Sequence, residues 1–334
     1  MSTRFVVISD THFLAPGHRA VGKTWWNRVL EARCDEISAA LIETVRRLEP
    51  AFVIHCGDFT GHADLVNYEF GLQVMSQLGC PWYAVLGNHD TWFPGVRAAL
   101  ASRYDLPGEH CFYARDLAGL RFLFLDVAYW TSVHGDTTLY LDKELYDRHE
   151  ISGMGPSQEE LAWLEQELAA ADRPVVLVSH APLGYKPGYP ITTLPYGEPS
   201  RQPLTSVAEL MGDVLYRSAM RELIRRHPQV KLAFAGHWHL ADTIREDGVT
   251  FCQTGALREY PFEFRVVEIS DEGLHVSTLG LGDCFREESY IEEWGNRWVA
   301  GIEEDRSFHV DLSDHLLPPE MGGKSVTRSP GTST

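Results

Sequence analysis

The stretch Trp82-Tyr83-Ala84-Val85-Leu86-Gly87-Asn88-His89-Asp90 decides how this chain of 334 residues is read. An unbroken apolar run suits a strand buried on both faces, and the glycine after it lets the backbone turn sharply. An amide, an imidazole and a carboxylate then follow in direct succession. Alone, such a tetrapeptide carries little weight, because Gly-Asn is an ordinary turn pair. The same pattern, an apolar run followed by Asp, His or both, recurs at four other places.

Toward the N-terminus, residues 5–8 read as a buried strand that delivers Asp10 and His12. Residues two apart on an extended backbone face the same way, so both can reach one ion. Residues 51–56 read as a second strand, ending in Gly57-Asp58. Helical spacing of Val29, Leu30, Ile37, Leu41, Val45 and Leu48 predicts a helix over 27–48,. A second helix is expected over 64–78. The resulting β-α-β-α-β order predicts a sheet covered on both faces, with its ligands at the carboxyl ends of the strands.

Toward the C-terminus, residues 111–114 and 120–125 read as a hairpin, with Asp126 at its exit serving as a structural cap. Residues 127–156 look irregular, aromatic and acidic. Ser157 and Glu160 open a helix to about 171 with a capping-box spacing,. The run 175–178 ends in Ser179-His180, and 230–235 ends in Gly236-His237-Trp238-His239. Between them lie a helix over 205–227 and a loop over 184–204 with five prolines and three tyrosines, long enough to be a lid,. Segments 241–246, 249–254, 264–269 and 274–279 read as a meander of strands.

Composition narrows the function. The net charge of −18 repels a phosphate backbone, so a long nucleic acid is not an expected partner,. No run is long and apolar enough to cross a bilayer. The start of the chain shows no signal peptide. The six cysteines, at 34, 56, 80, 111, 252 and 284, suggest neither a disulfide framework nor a thiolate metal site,. A cytoplasmic address is expected.

The ordered set Asp10-Thr11-His12, Gly57-Asp58, Gly87-Asn88-His89-Asp90, His180 and Gly236-His237-Trp238-His239 resembles the calcineurin-like metallophosphoesterase superfamily. Its motifs run D-x-H, G-D, G-N-H-[DE], H and G-H-x-H, and the resemblance covers about residues 4–280. Within it the chain looks most like the class III cyclic-nucleotide phosphodiesterase and glycerophosphodiesterase branch. The resemblance implies an α/β fold, a two-sheet β-sandwich flanked by helices. The expected domain covers residues 1–283, with 127–156 and 184–204 as cap loops. Residues 284–334 would form an extension, disordered from about 318.

The resemblance also implies two divalent metal ions, Mn, Fe or Zn. One would be held by Asp10, His12, Asp58 and His239, the other by Asp58, Asn88, His180 and His237. Two ions bridged by one carboxylate can clamp the attacking and leaving oxygens of a phosphoryl displacement, with metal-bound hydroxide as nucleophile. His89 would be the catalytic histidine that is not a ligand, and Asp90 its neighbour or a helix-start residue. Relatives carry Asp or Asn three positions after the Gly-Asp aspartate to orient that histidine. This chain has Gly61 there, so either His89 is oriented differently or His62 or Asp64 substitutes.

A single His or Asp at a strand end is usually a turn residue; only the joint occurrence assigns a site. The ten other histidines gain nothing from it, and His55 is expected to pack in its strand. Trp25, Trp26, Tyr129, Trp130 and Tyr185, with Tyr189 and Tyr196, fall on loops and could stack on a base or surround a cationic head group. Ordinary loop packing is the competing reading. Trp294 and Trp298, at helical spacing, suit local packing or a homo-oligomer contact. The expected substrate is a small phosphodiester: a cyclic nucleotide, a glycerophosphodiester or a phospholipid head group. A phosphomonoesterase is the alternative within the same chemistry, and a non-catalytic scaffold the alternative of another class.

Overall fold

The computed structural model of the chain describes residues 3–17, 33–61, 64–184, 217–289 and 296–312. In β1 (Thr3–Ile8), Phe5 and Val7 face one side while Val6 and Ile8 face the other, and all four are fully buried. That two-sided burial is why the run is apolar throughout. Leu41 and Val45 of α1 (Cys34–Leu48) cover the Val6 and Ile8 face. The strands β2 (Phe52–His55) and β3 (Trp82–Ala84) add in parallel beside β1. Between them, α2 (Leu65–Ser76) starts at Asp64, whose carboxylate accepts the Asn67 amide at 2.9 Å.

After α3 (Val96–Arg103), β4 (Tyr113–Leu117) and β5 (Leu120–Phe124) form the expected hairpin. Residues 127–156 depart from the irregular loop expected there. They fold into β6 (Tyr129–Ser132), β7 (Thr137–Thr138), the short helix α4 (Lys143–Asp147) and β8 (Ile151–Gly155), a small sheet in the order β7-β6-β8. Its buried Trp130, Ile151 and Met154 drive this, by packing under α5 (Gln158–Ala170). Next come β9 (Val175–Val178), α6 (Arg217–Arg225), β10 (Val230–Ala235), β11 (Asp242–Glu246) and β12 (Val249–Gln253). The second proposed cap loop lies almost wholly outside the described residues.

The expected meander is divided between two sheets. β11 and β12 stay with β10, whereas β13 (Glu263–Ser270) and β14 (Gly273–Gly280) form a hairpin beside β1. The boundary at 283 also needs correction. Past α7 (Asp283–Ser289), β15 (Ser307–Asp311) pairs antiparallel with β14 and buries Phe308 and Val310. Buried Arg265 donates to the Asp305 carbonyl at 2.6 Å, and Arg306 grips Glu263 at 2.6 and 2.9 Å. This piece of the extension is thus an edge strand of the main domain; the tail expected to be disordered lies outside the described residues.

The sheets run β15-β14-β13-β1-β2-β3 and β11-β12-β10-β9-β5-β4. Phe5, Phe52, Phe122 and Phe234 fill the space between them, with Phe5 stacked on Phe52 at 4.9 Å and edge-on to Phe122 at 5.6 Å. Burying each such ring stabilises the fold by about 1.5–3 kcal/mol. The outer face of the second sheet packs Leu123, Leu177 and Val230 against Leu164 and Leu168 of α5 and Met220 of α6. Helices therefore cover both outer faces of the sandwich. Among the described residues, no helix is long and apolar enough to cross a membrane.

Candidate metal centre

Three strands of one sheet and two of the other end at the same place. β1 delivers Asp10 and His12, β2 delivers Asp58, and β3 delivers Asn88 and His89; β9 brings His180, and β10 brings His237 and His239. Main-chain hydrogen bonds lock the loops together: Asp10 N–H to the Gly57 carbonyl at 3.1 Å, His12 N–H to Asp58 at 3.0 Å, and Gly236 N–H to His180 at 2.9 Å.

Asp10, His12, Asp58 and His239 are all buried, and each offers one ligand atom within 4.8 Å of the others. Asp58 is shared with a second group, where His180 Nε2 lies 3.3 Å from Asp58 Oδ1, 3.0 Å from Asn88 Oδ1 and 3.1 Å from His237 Nδ1. All seven ligand positions expected from the sequence are thus brought together. Five of them, Asp10, His12, Asp58, His237 and His239, have φ between 42° and 73°. Left-handed backbone at a residue with a side chain costs about 1–3 kcal/mol and persists where the surroundings over-determine it. The main-chain ties named above, and His237 N–H on Asp10 Oδ2 at 3.0 Å, do so here.

The donor set fits cations. His180 Nδ1 lies 2.8 Å from the Cys56 carbonyl, which can only accept, so the proton sits on Nδ1 and the lone pair on Nε2,. Burial lowers the pKa of this histidine to about 3, which keeps it neutral. Its lone pair therefore faces two further acceptor oxygens, a repulsive arrangement in a buried site that a shared cation relieves. Burial and the neighbouring Asp10 and Asp90 charges push Asp58 well above the usual carboxylate range. Burial would lower His239, but Asp10 and Glu259 outweigh it and raise its pKa to about 10. Imidazole and oxygen ligands without thiolate suit Mn, Fe or Zn.

His89 stands beside this group. Its Nε2 is 3.9 Å from Asp58 Oδ2, its ring lies against that of Trp92 at 4.1 Å with the planes tilted by 32°, and its Nδ1 faces the Gly61 carbonyl at 3.3 Å. The main chain of residue 61 thus stands where a side chain was expected. Asp64 caps α2 instead, and His62 lies outside the described residues. Asp90 follows His89 in the short helical turn of residues 89–91. Its oxygens accept the Phe59, Thr60 and Gly87 amides at 3.0, 2.9 and 2.9 Å and the Thr60 hydroxyl at 3.0 Å, tying the two loops that carry Asp58 and His89.

Of the proposed substrate residues, Trp25, Trp26 and Tyr185 lie outside the described residues. Tyr129 and Trp130 are buried instead of lining a mouth: the Trp130 indole donates to Thr91 Oγ1 at 2.9 Å and the Tyr129 hydroxyl meets His110 Nδ1 at 2.8 Å. Trp298 packs against Leu240 and Tyr260 of the main domain, and Trp294 lies outside the described residues.

Sequence reasoning missed two partners of the centre. Glu259, on the loop after β12, holds His239 Nδ1 at 2.7 Å, and no motif spacing marks it. His55 does more than pack in its strand. Its Nδ1 accepts the Gly57 amide at 3.1 Å and its Nε2 meets the Thr11 hydroxyl at 2.8 Å, bracing the turn into Asp58. Asp126 is a buried structural residue, as expected, salt-bridged to Arg97.

A family model described as calcineurin-like phosphoesterase matches residues 3–241. The chain is 32% identical over 183 residues to a Rhodopseudomonas palustris protein named a probable cyclic nucleotide phosphodiesterase, spanning 54% of this chain and 57% of that one. It is 25% identical over 240 residues to a glycerophosphodiester phosphodiesterase of Enterobacter lignolyticus, spanning 70% and 69%. The crystal structure of a dimetal phosphatase from Danio rerio shares the fold, with a TM-score of 0.58 over 84% of this chain and 96% of that one at 17% identity.

Proposed function

The chain belongs to the calcineurin-like phosphoesterase family, and from that premise we propose that it is a two-metal phosphodiesterase hydrolysing a small phosphodiester. The observation that carries this reading is the sharing of Asp58 between two compact ligand groups, with His89 beside them. Asp10, His12, Asp58 and His239 would hold one divalent ion; Asp58, Asn88, His180 and His237 would hold the other. When bound, such ions neutralise phosphoryl charge and make water nucleophilic at neutral pH.

The chain's own residues do the rest. His89 directs Nδ1–H to the Gly61 carbonyl, which leaves Nε2 to carry a proton toward the departing alkoxide,. Water adds to phosphorus as the P–O bond to that alkoxide breaks, so the products are a phosphomonoester and a hydroxyl group, which leaves as an alcohol from a glycerophosphodiester and stays on the sugar of a cyclic nucleotide. Contact with the Trp92 ring supports the imidazole on one side. The relatives' names support cyclic nucleotides or glycerophosphodiesters as the substrate class. The acidic chain supports a small substrate over a long nucleic acid,.

The test is steady-state hydrolysis of bis(p-nitrophenyl) phosphate against p-nitrophenyl phosphate with Mn²⁺ supplied. Preference for the diester, lost in His89→Ala, supports the reading. Preference for the monoester would make the protein a phosphatase, and inactivity on both with metal bound would favour a scaffold.

A further inference from the structure

The chain passes from β12 to β13, and so from one sheet to the other, through residues 254–262. Two consecutive residues of this crossing touch the centre. Buried Arg258 donates Nη1–H to the His12 carbonyl at 2.6 Å. Glu259, whose side chain is 13% exposed, accepts His239 Nδ1–H on Oε1 at 2.7 Å. Leu257 N–H bonds the Ser9 carbonyl at 3.2 Å and pins the segment to the end of β1.

His12 and His239 are the two histidines of one ligand group and take no part in the other. In that other group, His180 is oriented by the Cys56 carbonyl at 2.8 Å, from the end of β2. The imidazoles of His239 and His180 are therefore held by different parts of the chain, one by a carboxylate and one by a neutral carbonyl.

We propose that Glu259, with Arg258 beside it, is a positioning residue that sets the affinity of the Asp10–His12–Asp58–His239 position and leaves the Asn88–His180–His237 position unaffected. The proposal rests on the two-metal reading. A carboxylate on Nδ1–H fixes the tautomer whose Nε2 lone pair faces the ion, and makes the imidazole a better donor. His239 Nε2 is so directed, 3.1 Å from Asp10 Oδ1 and 3.4 Å from His12 Nε2. Arg258 holds the carbonyl of His12, whose φ is 42°, and thereby the direction of that ligand.

The experiment is a Mn²⁺ titration of the full chain by calorimetry, with electron paramagnetic resonance to detect exchange-coupled ion pairs. Wild type, Glu259→Gln and Glu259→Ala are compared. Glu259→Gln keeps the size and an acceptor oxygen while removing the charge, so it preserves the fold should the alanine variant not. The expected result is two ions in wild type. In Glu259→Gln, one class should weaken by about 10- to 100-fold while the other is unchanged, and the coupled signal should vanish at Mn²⁺ concentrations that fill wild type. Unchanged affinity at both positions would overturn the proposal. So would a parallel loss at both with a lowered melting temperature, which would make Glu259 merely structural. Fewer than two ions in wild type would overturn the two-metal reading, and this proposal with it.

Discussion

The imidazole of His89 is oriented by the backbone of Gly61: Nδ1 lies 3.3 Å from that carbonyl. A main-chain acceptor survives any substitution that leaves the turn intact. A Cβ at residue 61 would meet Leu14, Arg258 and the His12 carbonyl at 3.1–3.2 Å, so Gly61→Ala crowds its neighbours without removing the acceptor. We expect it to cost about 1–3 kcal/mol of stability. Its kcat on bis(p-nitrophenyl) phosphate should stay within about tenfold of wild type, whereas His89→Ala should lose about 100- to 10,000-fold. A collapse of kcat in Gly61→Ala at unchanged metal content would show that the carbonyl is not what orients His89.

Gly87 has no room for a side chain, because a Cβ there would overlap the amide and carboxylate of Asp58. Gly87→Ala must therefore displace the carboxylate shared by the two ligand groups. The expected outcome is loss of bound metal beyond what the drop in melting temperature explains, read as metal content of the folded variant. Full metal content in Gly87→Ala would contradict it.

Asp90 organises the loops under Asp58 and His89 through its three main-chain amide contacts. Asp90→Ala leaves those buried donors without their acceptor, at about 1–3 kcal/mol each. Asp90→Asn keeps one oxygen and should be milder. Urea denaturation of both variants is the check, with the order wild type, Asn, Ala expected; equal midpoints would remove Asp90 from this role.

Glu160 supplies the pH dependence. Burial and the nearby Asp126 charge push its pKa well above the usual carboxylate range, while Oε1 accepts the Asp126 amide at 2.7 Å. A carboxyl whose pKa is higher folded than unfolded favours the fold at low pH, and that contribution is lost as pH rises through the folded value. The stability margin of wild type over Glu160→Gln should therefore shrink from pH 5 to pH 8. A margin that grows with pH, measured by urea denaturation, would mean that Glu160 is held ionised.

Much of this centre was legible because each ligand directly follows an apolar strand: residues 5–8, 175–178 and 230–235 announce Asp10, His180 and His237 with no tertiary information. What stayed hidden is carried by groups without a sequence signature. The Gly61 carbonyl is backbone, and Glu259 reaches His239 from a loop joining two sheets, a crossing that the strand pattern could not separate from a meander. Tyr129 and Trp130 looked like loop aromatics because β6 is four residues long and wholly buried, so it shows no alternation. β15 does alternate, with Phe308 and Val310 inward, but its partner β14 lies more than twenty-five residues earlier, past the weakly patterned segment after 283.

The most direct measurement is an anomalous difference map from crystals of the full chain grown with Mn²⁺. Two peaks are predicted with the Asp58 carboxylate between them, one bounded by Asp10, His12 and His239 and the other by Asn88, His180 and His237. A single peak, or peaks away from Asp58, would contradict the account.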